Sequence, residues 1–404
     1  MGESALPVAY GVPIAAATAF DDNVVPTAPP DLRTATTING GRSSRVLLPA
    51  RSQHIEPLPE SVFQTLAEQG FTRGLAEALC QNKIAFPLKI WIVDNSGSMN
   101  HHDGHRFIAT KRREDIRLVE CSRWAEMQQT VDYHAQMAAL LQSPTVFRLL
   151  NDPGRLCGPQ QFSIAETENL SHDLAVAQST ILNTSPSGVT PLTEHLQEIR
   201  QNIQDLLPQL RQDGSKVVVV IATDGTPTDT QGIQSATTER EFVAALKGLE
   251  GLPVWVVVRL CTDDETVVRY WNDLDGQLEL SLEVLDDFVS EAEEVHEHNK
   301  WLNYGLPLHR MREMGFHHRL FDLLDERPLS KDELRDFCRI LLGEGKMDGV
   351  PDPQAHWDDF VSAISAIVQK ESKQWNPISK RVEPWIDIKR LKRDYGKGLL
   401  RYLW

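Results

Sequence analysis

No apolar run in this 404-residue chain approaches the ~20 residues that a bilayer-spanning helix requires, so no transmembrane segment is expected. Cysteine is scarce: there are five, at positions 80, 121, 157, 261 and 338, odd in number and without a CxxC pair. Scattered single thiols argue against a disulfide framework and for a reducing compartment. Basic residues also fall short, with 41 Lys and Arg against 57 Asp and Glu and a formal charge of −16. An acidic surface repels phosphate, which excludes a generic DNA coater. The opening MGESALPVAYGVPIAAATAF has no basic stretch ahead of its apolar residues, and Leu6 stands where a myristoylation signal requires Ser or Thr. There is no GxxxxGK(S/T) phosphate loop and no GxSxG elbow, which disfavours an ATPase and an α/β-hydrolase. The expectation is an intracellular protein, cytoplasmic, with the nucleus left open.

What is present reads as an ordinary globular chain, 41% hydrophobic and 24% charged, long enough for roughly two to three domains. Residues 1–60 hold eight prolines, one Phe, one Tyr and no Trp. So little apolar surface does not offset chain entropy, and a disordered Pro/Ala/Thr-rich tail is expected there. Residues 61–86 predict two short helices broken at Gly70, with Thr72 capping the second, as a lead-in packed on the domain that follows. From 87 to 299 strand and helix alternate. LKIWIVDNS, KVVVVIATDG and PVWVVVRLCTDD are nearly all-apolar runs that end in polar residues, as fully buried parallel strands do, and QLELSLEVL alternates like a strand with one wet face. Helices are expected at Ile116–Leu141, Pro191–Leu207, Thr238–Leu249 and Asp286–Glu297. The fold class is therefore α/β, a doubly wound, mostly parallel sheet, followed over 300–404 by an appended helical region without a convincing strand.

Three polar clusters fall just beyond apolar strands or open a helix: Asp94-Asn95-Ser96-Gly97-Ser98, Ser187-Gly188-Val189-Thr190-Pro191 and Thr223-Asp224-Gly225. In an open α/β sheet such loops converge at the carboxyl ends of the strands. Carboxylate and hydroxyl oxygens together suit a hard, octahedral cation such as Mg²⁺, with Mn²⁺ or Ca²⁺ as alternatives. Each residue also has a plain structural use, as a turn residue or a helix cap.

Asp94-x-Ser96-x-Ser98, Thr190 and Asp224-Gly225 together resemble the metal-ion-dependent adhesion site of the von Willebrand factor type A domain, in that family's order, over about residues 88–299. The resemblance implies that Ser96, Ser98 and Thr190 supply hydroxyl oxygens to the ion, while Asp94 and Asp224 bind it directly or through water. It also implies that the ion accepts an Asp or Glu from a protein partner.

One stretch departs from that pattern. HHDGHRFIATKRRED intervenes before the first expected helix, long enough for a small hairpin beside the metal. His101, His102, Asp103 and His105 are read as a partner-binding rim. A second, transition-metal site is the alternative, although adjacent histidines rarely converge on one ion without a helical or strand spacing such as i, i+4. Asp263 and Asp264 either extend the acidic wall or cap the next helix. Farther on, Asp322 to Glu333 has the length of an EF-hand loop, with Leu329 at its hydrophobic position. Leu324 replaces a required oxygen ligand and Arg327 the turn glycine, while Ser330 with Glu333 makes a capping box for a helix through Leu342. Lys380–Trp404 carries eight basic and three acidic residues interleaved with Trp385, Tyr395, Tyr402 and Trp404. Such a tail suits RNA or an anionic membrane surface, but it suits better the −21 carried by the rest of the chain. The function expected is a divalent-metal-dependent protein-interaction module, not an enzyme, serving as a scaffold or complex subunit. The alternatives are a metal-dependent hydrolase using His101, His102 or His105, and a scaffold that binds through its helical C-terminus.

Overall fold

A computed structural model of the chain describes residues 58–109, 116–167, 169–262 and 264–396. The tail expected at 1–60 lies almost wholly outside the described residues, as do Asp263, Tyr402 and Trp404. Helices α1 (Glu60–Glu68) and α2 (Arg73–Ala85) lead to β1 (Leu88–Val93). A hairpin of β2 (Gly104–Ala109) and β3 (Ile116–Cys121) precedes α3 (Arg123–Leu141), β4 (Thr145–Leu149), β5 (Gln161–Ile164) and α4 (Leu170–Asn183). Then come α5 (Leu192–Asp213), β6 (Val217–Thr223), α6 (Ala236–Lys247), β7 (Val254–Leu260), α7 (Glu265–Asp275), β8 (Leu282–Leu285) and α8 (Phe288–His298). The remainder holds α9 (Leu306–Glu313), α10 (Arg319–Glu326), α11 (Lys331–Leu342), α12 (Glu344–Met347), α13 (Trp357–Val368), β9 (Gln374–Asn376), β10 (Arg381–Glu383) and α14 (Ile388–Tyr395).

The architecture is mixed α/β around a six-stranded sheet of order β5-β4-β1-β6-β7-β8, parallel except for the β4–β5 pair. Side chains alternate across a strand, and β1 divides accordingly. Ile90 and Ile92 enter one core with Leu196, Ile199 and Ile203 of α5 and Phe242 of α6. Trp91 and Val93 enter another with Met127 and Val131 of α3 and Ile181 of α4. Helices thus cover both faces, which is why β1, β6 and β7 are apolar at nearly every position. Among the described residues no helix is long and apolar enough to cross a membrane.

A third core joins parts of the chain far apart in sequence. Leu66, Leu75 and Leu79 of the lead-in pack with Phe337 and Leu341 of α11, Met137 of α3 and Val295 of α8. The lead-in therefore lies on the C-terminal helices as much as on anything beside the sheet. Thr72 caps α2 by accepting from Leu75 N at 3.2 Å, and its hydroxyl also donates to the Leu341 carbonyl. The helix expected over Ile116–Leu141 starts only at Arg123, behind the Ser122 cap. Its first six residues form β3 instead, paired with β2. Phe107 pins this hairpin down, meeting Phe288 and Trp375 edge-on with ring centroids 5.5 and 5.9 Å away. Two strands, β9 and β10, occur in the region expected to have none. Asp322 lies inside α10, so there is no EF-hand loop, and the Ser330–Glu333 capping box opens α11. The described part of the basic tail docks: Trp385 and Leu391 are buried, the Tyr395 hydroxyl donates to the Leu329 carbonyl, and Arg390 reaches His296.

A Cβ on Gly74 would meet Gly343 N at 2.3 Å and the Ile340 carbonyl at 2.4 Å, both backbone atoms. Gly74→Ala should therefore separate α2 from α11 and destabilise the protein by about 1–3 kcal/mol. An unchanged denaturant midpoint would show that the two helices do not pack this closely.

Candidate metal centre

Asp94 follows β1 and Asp224 follows β6, and because these strands are hydrogen-bonded neighbours both carboxylates arrive at the same end of the sheet. Both are buried, Asp94 completely and Asp224 to within 3%. The Asp94 carboxylate accepts from Ser96 N at 2.8 Å and from the Thr223 hydroxyl at 2.7 Å. Asp224 accepts from the Ser98 hydroxyl at 2.8 Å, and the Ser98 and Ser96 hydroxyls are 3.0 Å apart. These spacings suit a hard ion: adjacent ligands held at about 2.0–2.1 Å around an octahedral cation stand about 2.9 Å apart. Burial, reinforced by the Asp224 charge, pushes the Asp94 carboxyl up to about 6 despite its hydrogen bonds.

The Thr190 loop is bound to this constellation through its backbone. Gly97 N donates to the Gly188 carbonyl at 3.2 Å and Ser187 N to the Asn95 carbonyl at 2.8 Å. Thr190 N donates to the Thr228 hydroxyl, and Thr228 N returns a bond to the Thr190 carbonyl, each at 3.0 Å. Thr190 itself is buried. Asn151, at the end of β4, links the loops: its backbone N–H reaches Asn95 Oδ1 at 2.8 Å and its amide donates to the Val189 carbonyl at 2.8 Å. Gly188 is needed there, since its φ is 88° and a Cβ would lie 2.4 Å from Asn151 Oδ1.

Of the expected rim, His101 and His102 are exposed, and no hydrogen bond among the described residues orients their rings. His105 is half-buried in β2, where its backbone N–H donates to Glu126. Asp264 is exposed and caps α7 by accepting from Thr266 N at 2.8 Å. Among the described residues, the only group of three His, Cys, Asp or Glu side chains close enough to share an ion is Glu291, Glu294 and Asp325. Arg312 already bonds two of those carboxylates, Glu291 and Asp325. Asp103 has the most specific role of the rim: its carboxylate holds both Nε and Nη2 of Arg123, and that guanidinium keeps it below the usual carboxylate range.

Arg123, Asn151, Thr223 and Thr228 are the residues that sequence reasoning missed. The apolar strands flagged the positions beyond them, and Thr223 stood inside the quoted cluster without a role. Nothing in the local pattern connects Arg123 to Asp224, 101 residues away, and with a helix expected from Ile116 its place in a first turn, where the dipole disfavours a cation, was not legible either.

Because Asp94 holds its proton more tightly folded than unfolded, the cation-free protein binds more protons when folded between about pH 4 and pH 6. Its stability falls as pH rises through that window. Asp94→Asn removes the buried charge, and the Thr223 hydroxyl can turn to accept from the new amide. The expected result is a cation-free protein more stable at pH 7 by on the order of 2 kcal/mol, with no response to Mg²⁺. Urea unfolding with EDTA and with Mg²⁺ measures both, and a variant that is less stable in EDTA or still responsive would count against the centre.

No family model matches the chain, and no curated protein matches it. Among solved structures, a point mutant of the PilB minor pilin from Streptococcus sanguinis is similar at 15% identity and a TM-score of 0.33. That alignment covers 50% of this chain and 57% of the pilin chain, and a likeness of this size carries no conclusion about fold or function.

Proposed function

We propose that the chain is a divalent-cation-dependent protein-interaction module, with the doubly wound fold and adhesion site of a von Willebrand factor type A domain, and that it is not an enzyme. The observation that carries this reading is the hydroxyl–carboxylate chain Ser96–Ser98–Asp224 beside the buried Asp94, at spacings that suit an octahedral ion. Asp94, Ser96, Ser98, Thr190 and Asp224 would hold Mg²⁺, with Mn²⁺ or Ca²⁺ as alternatives. A cation bound by two carboxylates and neutral hydroxyls would supply a remaining coordination position for an Asp or Glu of a partner.

The chain's own residues would shape that encounter. Asp94 and Asp224 lie at the floor, so a partner carboxylate would be repelled unless the cation is there. Leu156, 97% exposed, and Ile233, 52% exposed, stand on the loops after β4 and β6, at the same end of the sheet. They would add apolar contact beside the anchored carboxylate. The half-exposed Asp103 and the exposed Asp264 make the surroundings acidic, which favours a single acidic residue on the partner over an acidic run. No observation favours the hydrolase reading: among the described residues no hydrogen bond holds the exposed rings of His101 and His102 in place.

Capture from extract with the full chain tests the proposal. The partner should be recovered in Mg²⁺, lost in EDTA, and lost when the bait carries Asp224→Ala. Changing one partner Asp or Glu to the amide should abolish binding. Binding should also fail below about pH 4, where ordinary carboxylates protonate. A partner held equally well in EDTA, or by the Asp224→Ala bait, would defeat this reading.

A further inference from the structure

We propose that Arg123 is an internal counter-cation that competes with the divalent ion for Asp224, and that Asp103 sets the strength of that competition. The inference rests on the cation-centre reading above.

The Asp224 carboxylate is divided between two environments. Its Oδ1 accepts from the Ser98 hydroxyl at 2.8 Å, on the side where the ion's oxygen ligands gather. Its Oδ2 accepts from Arg123 Nη1, also at 2.8 Å. The Asp224 side chain is fully buried and the Arg123 side chain 9% exposed, so water and salt screen this pair little. A divalent ion at Asp224 would sit against a fixed positive charge with only one carboxylate between them. Asp94 and Asp224 therefore present less effective negative charge than two carboxylates normally would.

Arg123 cannot easily withdraw. Its backbone N–H donates to the His101 carbonyl at 2.9 Å, and Ser122 caps the helix it begins. Gly104 lies so close that a Cβ there would be 2.9 Å from Arg123 N and Cα. A cation in the first turn of α3 also opposes the helix dipole, so its position is maintained by the carboxylates it meets. The second of these is Asp103, which takes Nε at 2.7 Å and Nη2 at 2.5 Å in a two-pronged pair. Asp103 is half exposed and belongs to the segment that enters the hairpin. It draws part of the guanidinium charge away from Asp224. Removing Asp103 should therefore strengthen Arg123's hold on Asp224 and weaken the ion, whereas removing the Arg123 charge should tighten the ion.

These opposite signs separate the proposal from a merely structural role, in which both changes would loosen the site. The full chain is titrated with Mg²⁺ and with Mn²⁺ by calorimetry, and the cation-dependent rise in melting temperature is followed in parallel. Wild type is compared with Arg123→Gln, Arg123→Lys, Asp103→Asn and Asp224→Asn. Arg123→Gln should bind the ions at least about tenfold more tightly, and Asp103→Asn several-fold more weakly. Arg123→Lys keeps the charge and should stay nearer to wild type than to Arg123→Gln. If wild type gives neither saturable heat nor a melting response, the cation reading itself fails and this inference with it. If wild type binds and Asp224→Asn does not, but Arg123→Gln binds no more tightly, the competition is overturned alone. Should Arg123→Gln not fold, Asp103→Asn decides: unchanged or tighter binding overturns the proposal.

Discussion

Two carboxylates from neighbouring parallel strands, Asp94 and Asp224, share one end of the sheet with almost no access to water. Burying like charges together is costly, because each is deprived of solvent and then repelled by the other. Much of the surrounding structure answers that cost. Ser96 N, Thr223, Ser98 and Arg123 all donate to the pair, yet the Asp94 carboxyl is still pushed up to about 6. Such residual strain is most readily retained where it serves binding. The Asn95–Asn151–Val189 stitching has the same logic: loops that must oppose mutual repulsion are cross-bonded through their backbones.

Helix α3 carries this polar order away from the centre. Arg123, Glu126, Thr130 and His134 recur at helical spacing, and each meets a partner from another element. Arg123 takes Asp224, Glu126 takes Arg259 of β7, and Thr130 lies 3.5 Å from Arg310. His134 bonds Glu313 at 2.9 Å. Burial alone would raise Glu313, but the Arg310 guanidinium and its histidine partners hold it well below the usual range. His134 is itself driven down to about 4, chiefly by burial, and is neutral at neutral pH. Arg259 touches both Glu126 and Glu313, so a buried charge network runs from the sheet into α9. Breaking one partner of such a network strands the other, which makes the sheet and the C-terminal helices mutually dependent.

The hairpin at β2 and β3 belongs to that junction. Gln129 of α3 brackets Phe107 through both backbone groups, and Phe107 enters the aromatic contacts of α8 and β9. Its leading segment contributes Asp103 to Arg123 while its strands lean on the C-terminal core. One hairpin thus contacts both the proposed cation centre and the helical region.

By itself the sequence determined the elements whose signal is local. Strands β1, β6 and β7 were legible because a strand buried on both faces is apolar at successive positions, and α5 because its apolar residues recur on one face. Asp94, Ser96, Ser98 and Asp224 of the candidate centre were legible because they follow apolar runs at strand ends, and Thr190 because it precedes an amphipathic helix. Thr72 and Ser330 were legible as caps because a cap bonds within its own first turn. Only the tertiary structure decided that IRLVEC is a strand, for its partner GHRFIA and the aromatic cage of Phe107 outweigh its helical pattern. It alone decided that α2 lies against α11, and that Arg123 shares Asp224 with the serine loop. Periodicity and capping act over a few residues along the chain, whereas the pairing of buried charges and close-packed glycines depends on which distant segments the folded sheet brings together.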